Sequence, residues 1–526
     1  MGHRGLCGPI RDCRGQILAR IVRWLAVRLS NAAILPECVL AGAGVIAWVL
    51  MQRVQPMNDV VWQFWIARQL LGGVRLYSQI WEVNPPLWFW SAVPVEWLAE
   101  RTGIAWSSLL TAVVVALGAG SAWLTGRLMD LPRQRDRIGL VLLVFVMTTV
   151  LPMPGAGQRE QLALVAAVPY AALIARRHAG TATSWWLAAV VGLLGAYGFA
   201  LKHYFALVPV VLEVWLALRL RRGWRPWRPE VVVLAASATL YALSIAAFAP
   251  GFITVMLPMV RAAYYTSQAS MFFVLVKPYV LFWAVAGGFL LLVRDAPQRD
   301  ASAGMAAFFH ALLLSAGCFA AGYMIQRRGW DYHSIAASGV LAIALGLQLR
   351  RLTRPLPVLM GALLLGWVVV SLYPVRPRPE AFGNYIDRLR PGEAVFAGSS
   401  DAGLVWPAPD RRKLVWVSRA YSLWMLPAIG NAETVGPNPP QLRQLARQVL
   451  TATSQDIRCN PPMLILMQRT QGAHRSAFQD FLFRDEPLRR FVAAHYAELP
   501  ATPVALAYVR RGPVPGLAAP QCRTIG

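Results

Sequence analysis

The sequence predicts a polytopic α-helical membrane protein that carries a small α/β domain at its C-terminal end. Of its 526 residues 57% are hydrophobic and only 14% charged, with 21 Trp, a composition that excludes an ordinary soluble enzyme. Apolar runs that approach the roughly 20 residues needed to cross a bilayer core begin near residues 32, 106, 138, 162, 184, 204, 231, 272, 304, 334 and 357. They predict about 11 transmembrane helices. Beyond Tyr373 the pattern stops, and short apolar strands replace it.

Residues 1–31 hold Arg4, Arg11, Arg14, Arg20, Arg23 and Arg28, with Ile17, Ile21, Leu25 and Leu29 at helical spacing among them. This is the pattern of a basic amphipathic helix on the cytoplasmic surface. The apolar segment that follows offers no small-residue cleavage site, which argues against a removed signal peptide. With the N-terminus inside, the basic loops "GRLMDLPRQRDR", "ARRHAG", "LRLRRGWRPWRPE", "VRDAPQRD" and "LRRLTRPL" alternate onto the cytoplasmic side, as the positive-inside rule requires. The formal charge of +26 therefore reflects membrane topology, not a nucleic-acid surface. One segment, "PLWFWSAVPVEWLAE" from Pro86 to Glu100, is short for a span and contains Pro94 and Glu96. It reads as an interfacial or re-entrant helix on the outer side.

The transmembrane domain then covers residues 32–373, and the Pro/Arg linker "PVRPRPE" opens residues 374–526. There "EAVFAG", "KLVWVS", "MLILMQ" and "VALAYV" read as strands that alternate with helical stretches such as "PQLRQLARQVL". About 150 residues suffice for a separate core, and an odd number of spans places this α/β domain outside, in the periplasm. In that compartment Cys459 and Cys522 either form a disulfide or stand as two separate thiols. No cysteine pair has metal-site spacing.

Asp59 lies a few residues beyond the first span, at the start of a helix whose Trp62, Trp65, Ile66 and Leu70 would lie in the interface. A carboxylate at that boundary meets a lipid-borne and a water-borne substrate together, which suits a general base. The alternative is a helix cap, with Asn58 as competitor for the role.

The stretch after Asp59, "ARQLLGGVRLYSQIWEVNPPLWFW", resembles the first extracytoplasmic loop of the C superfold (GT-C) of membrane glycosyltransferases. That superfold includes protein O-mannosyltransferases and the lipid A aminoarabinose transferase. The likeness is carried by Asp59, Ala67, Leu70, Leu71, Gly72 or Gly73, Leu76, Tyr77, Trp81, Glu82, Pro85 and Pro86. "GQREQLALVAAVPY" resembles the second such loop, whose acidic residue corresponds to Glu160, and "QRRGWDYHS" resembles the Gly-Trp-x-Tyr-His stretch before a late span in bacterial relatives. Two departures stand out: Val60 follows Asp59 where many relatives carry an acidic pair, and Glu82-Val83-Asn84-Pro85 lacks the Lys frequent in the aminoarabinose-transferase branch. The resemblance implies an inverting transferase of the bacterial inner membrane. Its donor would be a monosaccharide on a polyprenyl-phosphate carrier, and its acceptor a lipid, polysaccharide or protein of the cell envelope.

Such a transfer breaks an anomeric C–O bond, so it needs a base for the acceptor hydroxyl and cations for the departing lipid phosphate. Asp59 is the expected base. Glu160 is the second acid or orienting group, or else the ion-pair partner of Arg159. Arg159, Lys202, His203, Arg327, Arg328 and His333 come from three outer loops and form the expected phosphate clamp, with lipid-headgroup attraction as the alternative for each. Trp330, Tyr332 and Trp81 are of the type that stacks on sugars, although aromatics at an interface are more often belt residues. Glu82 has a further reading, as ligand of a divalent cation together with His203 or His333. The rival of another class is a lipid or solute transporter, which shows paired half-repeats and midplane charges; this chain has no evident repeat, and its unusual charges fall in outer loops.

Overall fold

The structure is a computed structural model and describes residues 35–264, 268–293, 303–352, 354–372, 381–434, 436–469, 478–514, 516 and 522. The amphipathic helix expected over residues 1–31 and the linker 374–380 lie outside these residues. Each expected apolar run is helical where it is described. Trp106–Met129, His203–Gly223, Pro229–Phe248, Ala303–Gln326 and Asp331–Leu349 are long and apolar enough to cross a membrane, while Pro36–Met51, Trp185–Ala200, Phe252–Tyr264, Pro278–Val293 and Pro355–Val370 are apolar but shorter. Leu240, Leu243, Phe248, Leu292 and Leu363 stand exposed on this bundle, a surface suited to lipid and not to water.

Phe252–Tyr264 is helical although no predicted apolar run begins between those near residues 231 and 272. Here π-helical turns at Phe252–Met256 and Val260–Tyr264 flank Leu257–Met259. Pro258 removes a backbone donor and crowds the turn before it, and the wider flanking turns accommodate both effects.

At the centre stands helix Arg159–His178, in which every residue from Arg159 to Ala175 is buried. Trp106–Met129, Trp185–Ala200, Leu207–Leu220, Ala303–Gln326 and Ile335–Leu349 pack around it. Gly198 permits one of these contacts: a Cβ there would meet the Cβ of Ala166 at 2.4 Å and the carbonyl oxygen of Leu162 at 3.0 Å. Gly192 does the same for helix Pro229–Phe248, since its Cβ would lie 2.7 Å from the Glu230 carbonyl oxygen. Small residues thus bring these backbones together without interposed side chains.

Because neighbouring helices alternate in direction, polar termini gather at the two ends of the bundle. At one end Arg177 holds Glu230 through two bonds of 2.9 Å, and Arg228 bridges Glu230 and Glu213. At the other end lie the N-terminus of Arg159–His178, the C-termini of Trp185–Ala200 and Ala303–Gln326, and the turn Asp331–Ser334.

Two further helices lie beside that second end, Asn58–Leu71 and Leu87–Thr102, of 14 and 16 residues. They are too short for a span, at about 21 and 24 Å. Arg68 pins them together, with Nε 2.7 Å from Glu96 Oε1, and also reaches Asp410 Oδ1 at 3.1 Å. Between them Tyr77 adopts a left-handed conformation (φ 70°) and donates its hydroxyl to the Asn84 carbonyl at 2.6 Å. That bond offsets the steric cost of a positive φ in a non-glycine residue.

The C-terminal residues build a five-stranded sheet of order β2-β1-β3-β5-β4, with β1 Ala394–Gly398, β2 Val415–Trp416, β3 Leu464–Gln468, β4 Tyr496–Glu498 and β5 Ala505–Arg510. β1 runs parallel to β2 and β3, and β5 runs antiparallel to β3 and β4. The strands expected from sequence are all present, and β4 is an addition. Helix Pro440–Cys459 turns Leu442, Leu445, Val449 and Ala452 to the core, the spacing of one apolar face. A disulfide joins Cys459 to Cys522, with Cα atoms 5.5 Å apart.

Candidate functional site

Asp59 sits in the first turn of helix Asn58–Leu71, whose N-cap is Met57 with no side-chain capping bond. The carboxylate is therefore not spent on the helix. Its Oδ1 accepts from the Tyr421 hydroxyl at 3.3 Å, its Oδ2 lies 4.0 Å from Arg159 Nη2, and 21% of the side chain remains exposed.

Arg159 and Glu160 open the central helix, where backbone N–H groups and the helix dipole already favour an anion. The Arg159 guanidinium is buried and lies 4.5 Å from the centre of the Trp88 ring. Its Nε and Nη1 have no hydrogen-bond partner among the described residues. Glu160 does not pair with Arg159. Its Oε1 accepts from Lys202 Nζ at 2.5 Å, while its Oε2 is buried without a partner among the described residues.

Lys202 stands on the turn after helix Trp185–Ala200 and is buried. Besides Glu160 it meets Gln326 Oε1 at 3.3 Å and His333 Nε2 at 3.1 Å. Burial pulls its ammonium group down to about 8, against the opposing pull of Glu160. His333 Nδ1 is buried with no partner among the described residues. Tyr332 lies edge-on to the His333 ring at 4.5 Å and 5.7 Å from Lys202 Nζ. Trp330, 45% exposed, stacks on Tyr332 at 5.8 Å.

The remaining expected residues take other positions. Arg328 places its guanidinium carbon 3.5 Å over the Tyr264 ring and donates to the Tyr264 carbonyl. Arg327 turns the chain with a positive φ of 49°, and its carbonyl accepts from Ala269 N–H at 2.8 Å. His203 is exposed and lies against Tyr204 at 3.8 Å. Glu82 is buried and occupied: Oε2 accepts from Trp62 Nε1 at 2.7 Å, and Oε1 from the backbone and side-chain nitrogens of Asn84 at 2.9 and 2.6 Å. Burial pushes its carboxyl up, and these donors hold it back.

Glu82, His203 and His333 do not fit a divalent cation. The first has both oxygens engaged, the second is exposed elsewhere, and the third faces an amine at 3.1 Å. Among the described residues no group of three or more His, Cys, Asp or Glu is arranged to hold a metal.

The structure thus brings Asp59, Arg159, Glu160, Lys202 and His333 together, with Tyr332 and Trp330 alongside. It adds Trp88, Gln326 and Tyr421, which the sequence reading did not assign. Gln326 carried a signal, as a polar side chain ending a long apolar run. Tyr421 carried none, because it arrives from the sheet-bearing segment more than 350 residues away in sequence.

No protein-family model and no curated protein sequence matches the chain. Among solved structures it is similar to ArnT from Cupriavidus metallidurans bound to undecaprenyl phosphate, with TM-score 0.48 and 13% identity over 92% of this chain and 98% of that one. The apo state of ArnT gives TM-score 0.43 and 12% identity over 89% of this chain and 96% of that one. The arabinofuranosyltransferase AftD from Mycobacteria gives TM-score 0.42 and 14% identity over 90% of this chain and 40% of that one. At such identities and scores the likeness assigns no chemistry to these residues.

Proposed function

We propose that the chain is an inverting membrane glycosyltransferase that moves a monosaccharide from a polyprenyl-phosphate carrier to a cell-envelope acceptor on the outer face of the bacterial inner membrane. Residues 32–373 form its transmembrane domain in this proposal, and residues 374–526 an outer α/β domain. The disulfide Cys459–Cys522 supports an oxidising compartment for that domain.

The observation that carries the proposal is the buried Arg159 guanidinium with two nitrogens unpartnered among the described residues, 4.0 Å from one carboxylate and adjacent in sequence to the Glu160 that holds Lys202. Unpaired donors at such depth cost free energy unless a ligand satisfies them, and an anionic oxygen is the ligand that a guanidinium and an ammonium share. Asp59 stands beside them with exposed surface. In the proposed step an acceptor hydroxyl gives its proton to Asp59 while its oxygen bonds to the anomeric carbon. The C–O bond to the lipid phosphate breaks, and its electron pair leaves with the phosphate toward Arg159 and Lys202. One displacement inverts the anomeric centre. Glu160 orients Lys202, and Trp330 with Tyr332 provides a stacked aromatic face for the sugar.

The test is transfer from labelled polyprenyl-phosphate sugars by the purified chain in proteoliposomes. Asp59→Asn, which keeps the side-chain shape and an acceptor oxygen for Tyr421, is expected to abolish transfer. If that variant folds, inserts and still transfers, Asp59 is not the base.

A further inference from the structure

The sheet-bearing segment does not merely sit beside this site. Helix Pro440–Cys459 supplies Asp456, which locks Arg419 through bonds of 2.5 to 3.0 Å. The Arg419 guanidinium then lies 5.3 Å from the centre of the Trp81 ring, and the Arg419 carbonyl accepts from Trp81 N–H at 2.7 Å. Two residues on, the Tyr421 ring stacks on Trp62 at 4.9 Å and 21°. Trp406 meets Trp62 edge-on at 5.3 Å and Trp416 at 5.3 Å. Arg68 adds the ion pair to Asp410. This seam fixes one polar atom at the site, the Tyr421 hydroxyl.

We infer that Tyr421 is a positioning residue for Asp59, so that the site is completed only when the sheet-bearing segment is docked. The inference rests on Asp59 being the base. Asp59 stands on the first turn of a helix with no side-chain capping bond, and two groups from different elements face it: Arg159 at 4.0 Å from Oδ2 and Tyr421 at 3.3 Å from Oδ1. Arg159 has the phosphate to attend to. Tyr421 has no other hydrogen bond to make within the described contacts, and burial together with the neighbouring Asp59 holds its hydroxyl well above the usual phenol range, so it donates throughout the working pH range. A carboxylate whose one oxygen is fixed presents its other lone pairs in a fixed direction, which is what proton abstraction from an acceptor hydroxyl requires.

Tyr421→Phe removes the hydroxyl and keeps the ring on Trp62. In the full chain in proteoliposomes, with the labelled donor the wild type uses, kcat is expected to fall roughly ten- to a hundredfold, while KM for the lipid donor and the thermal midpoint stay at wild-type values. Asp59→Asn is run beside it. An inactive Asp59→Asn with a Tyr421→Phe of wild-type kcat overturns the inference and leaves the proposed function standing. A fall in kcat that only tracks loss of folded protein makes Tyr421 a packing residue and likewise overturns it. Transfer by Asp59→Asn removes the base itself, and the inference falls with it.

Discussion

The pair Glu160–Lys202 gives the sharpest quantitative expectation. Lys202 Nζ lies 2.5 Å from Glu160 Oε1 in a buried setting, and its ammonium group titrates at about 8. At pH 7 roughly nine-tenths of it is charged in the free protein, since one pH unit is a factor of ten. Glu160→Gln deletes the charge and the bond that oppose burial, so the ammonium should lose its proton at lower pH than in the wild type. A smaller share of it is then charged at pH 7 than in the wild type. Binding of a short-chain polyprenyl phosphate to the chain in nanodiscs should therefore weaken at pH 7. The pH dependence should change as well. Wild-type affinity should fall as pH rises from about 7 to about 9, because Lys202 loses its proton there, whereas the variant should begin its fall at lower pH and stay weaker throughout. The fold should survive, because an amine that can discharge for about 1.4 kcal/mol avoids the 3–5 kcal/mol typical of a stranded buried charge. An affinity profile for Glu160→Gln that overlays the wild type from pH 7 to 9 would refute this account of Lys202.

Arg159→Met should lower kcat/KM by about a hundredfold or more, as loss of a preorganised charge at a leaving group does, with thermal stability unchanged or raised because two buried nitrogens without partners among the described residues disappear; steady-state kinetics and a melting curve check both. Arg159→Lys should recover only part of the rate, since an ammonium lacks the planar fork. Gly192→Leu should destabilise the bundle by at least about 1–3 kcal/mol, the cost of overpacking, because its Cβ would strike the Glu230 backbone at 2.7 Å; yield of monodisperse protein in detergent reports it. Glu82→Ala should cost about 1–3 kcal/mol by stranding the buried Trp62 and Asn84 donors, visible as faster proteolysis of residues 72–86.

Much of this architecture was legible because membrane solvation writes it into composition. Runs of apolar residues became helices, and the alternating "EAVFAG" and "VALAYV" became β1 and β5. Arg159, Glu160 and Lys202 were legible for the same reason, as charges interrupting apolar sequence. What could not be read is pairing. Glu160 beside Arg159 suggests a local ion pair, yet a helix turn sends consecutive side chains about 100° apart, and the partners are Lys202 and Asp59. His203 is exposed although its neighbour Lys202 is buried, because Lys202 is extended backbone and successive side chains there point to opposite sides. Glu82 read as a candidate ligand because nothing in sequence shows that Trp62 and Asn84 consume its lone pairs.

The distribution of charge also bears on the rival reading as a transporter. A carrier that alternates access places its ion-binding groups near the middle of the membrane, where broken helices expose backbone. Among the described residues the central helix Arg159–His178 has its charged side chains in the first and last turns, and the residues between, from Gln161 to Ala175, are uncharged and buried. The cluster at its start is joined on one side by the exposed Trp330 and on the other by Asp59 and the sheet-bearing segment. Asp59 and Trp330 leave the cluster partly exposed at that end, and packed apolar side chains close it along the rest of the central helix. That arrangement suits the proposed exchange of one bond between two substrates better than passage along the central helix.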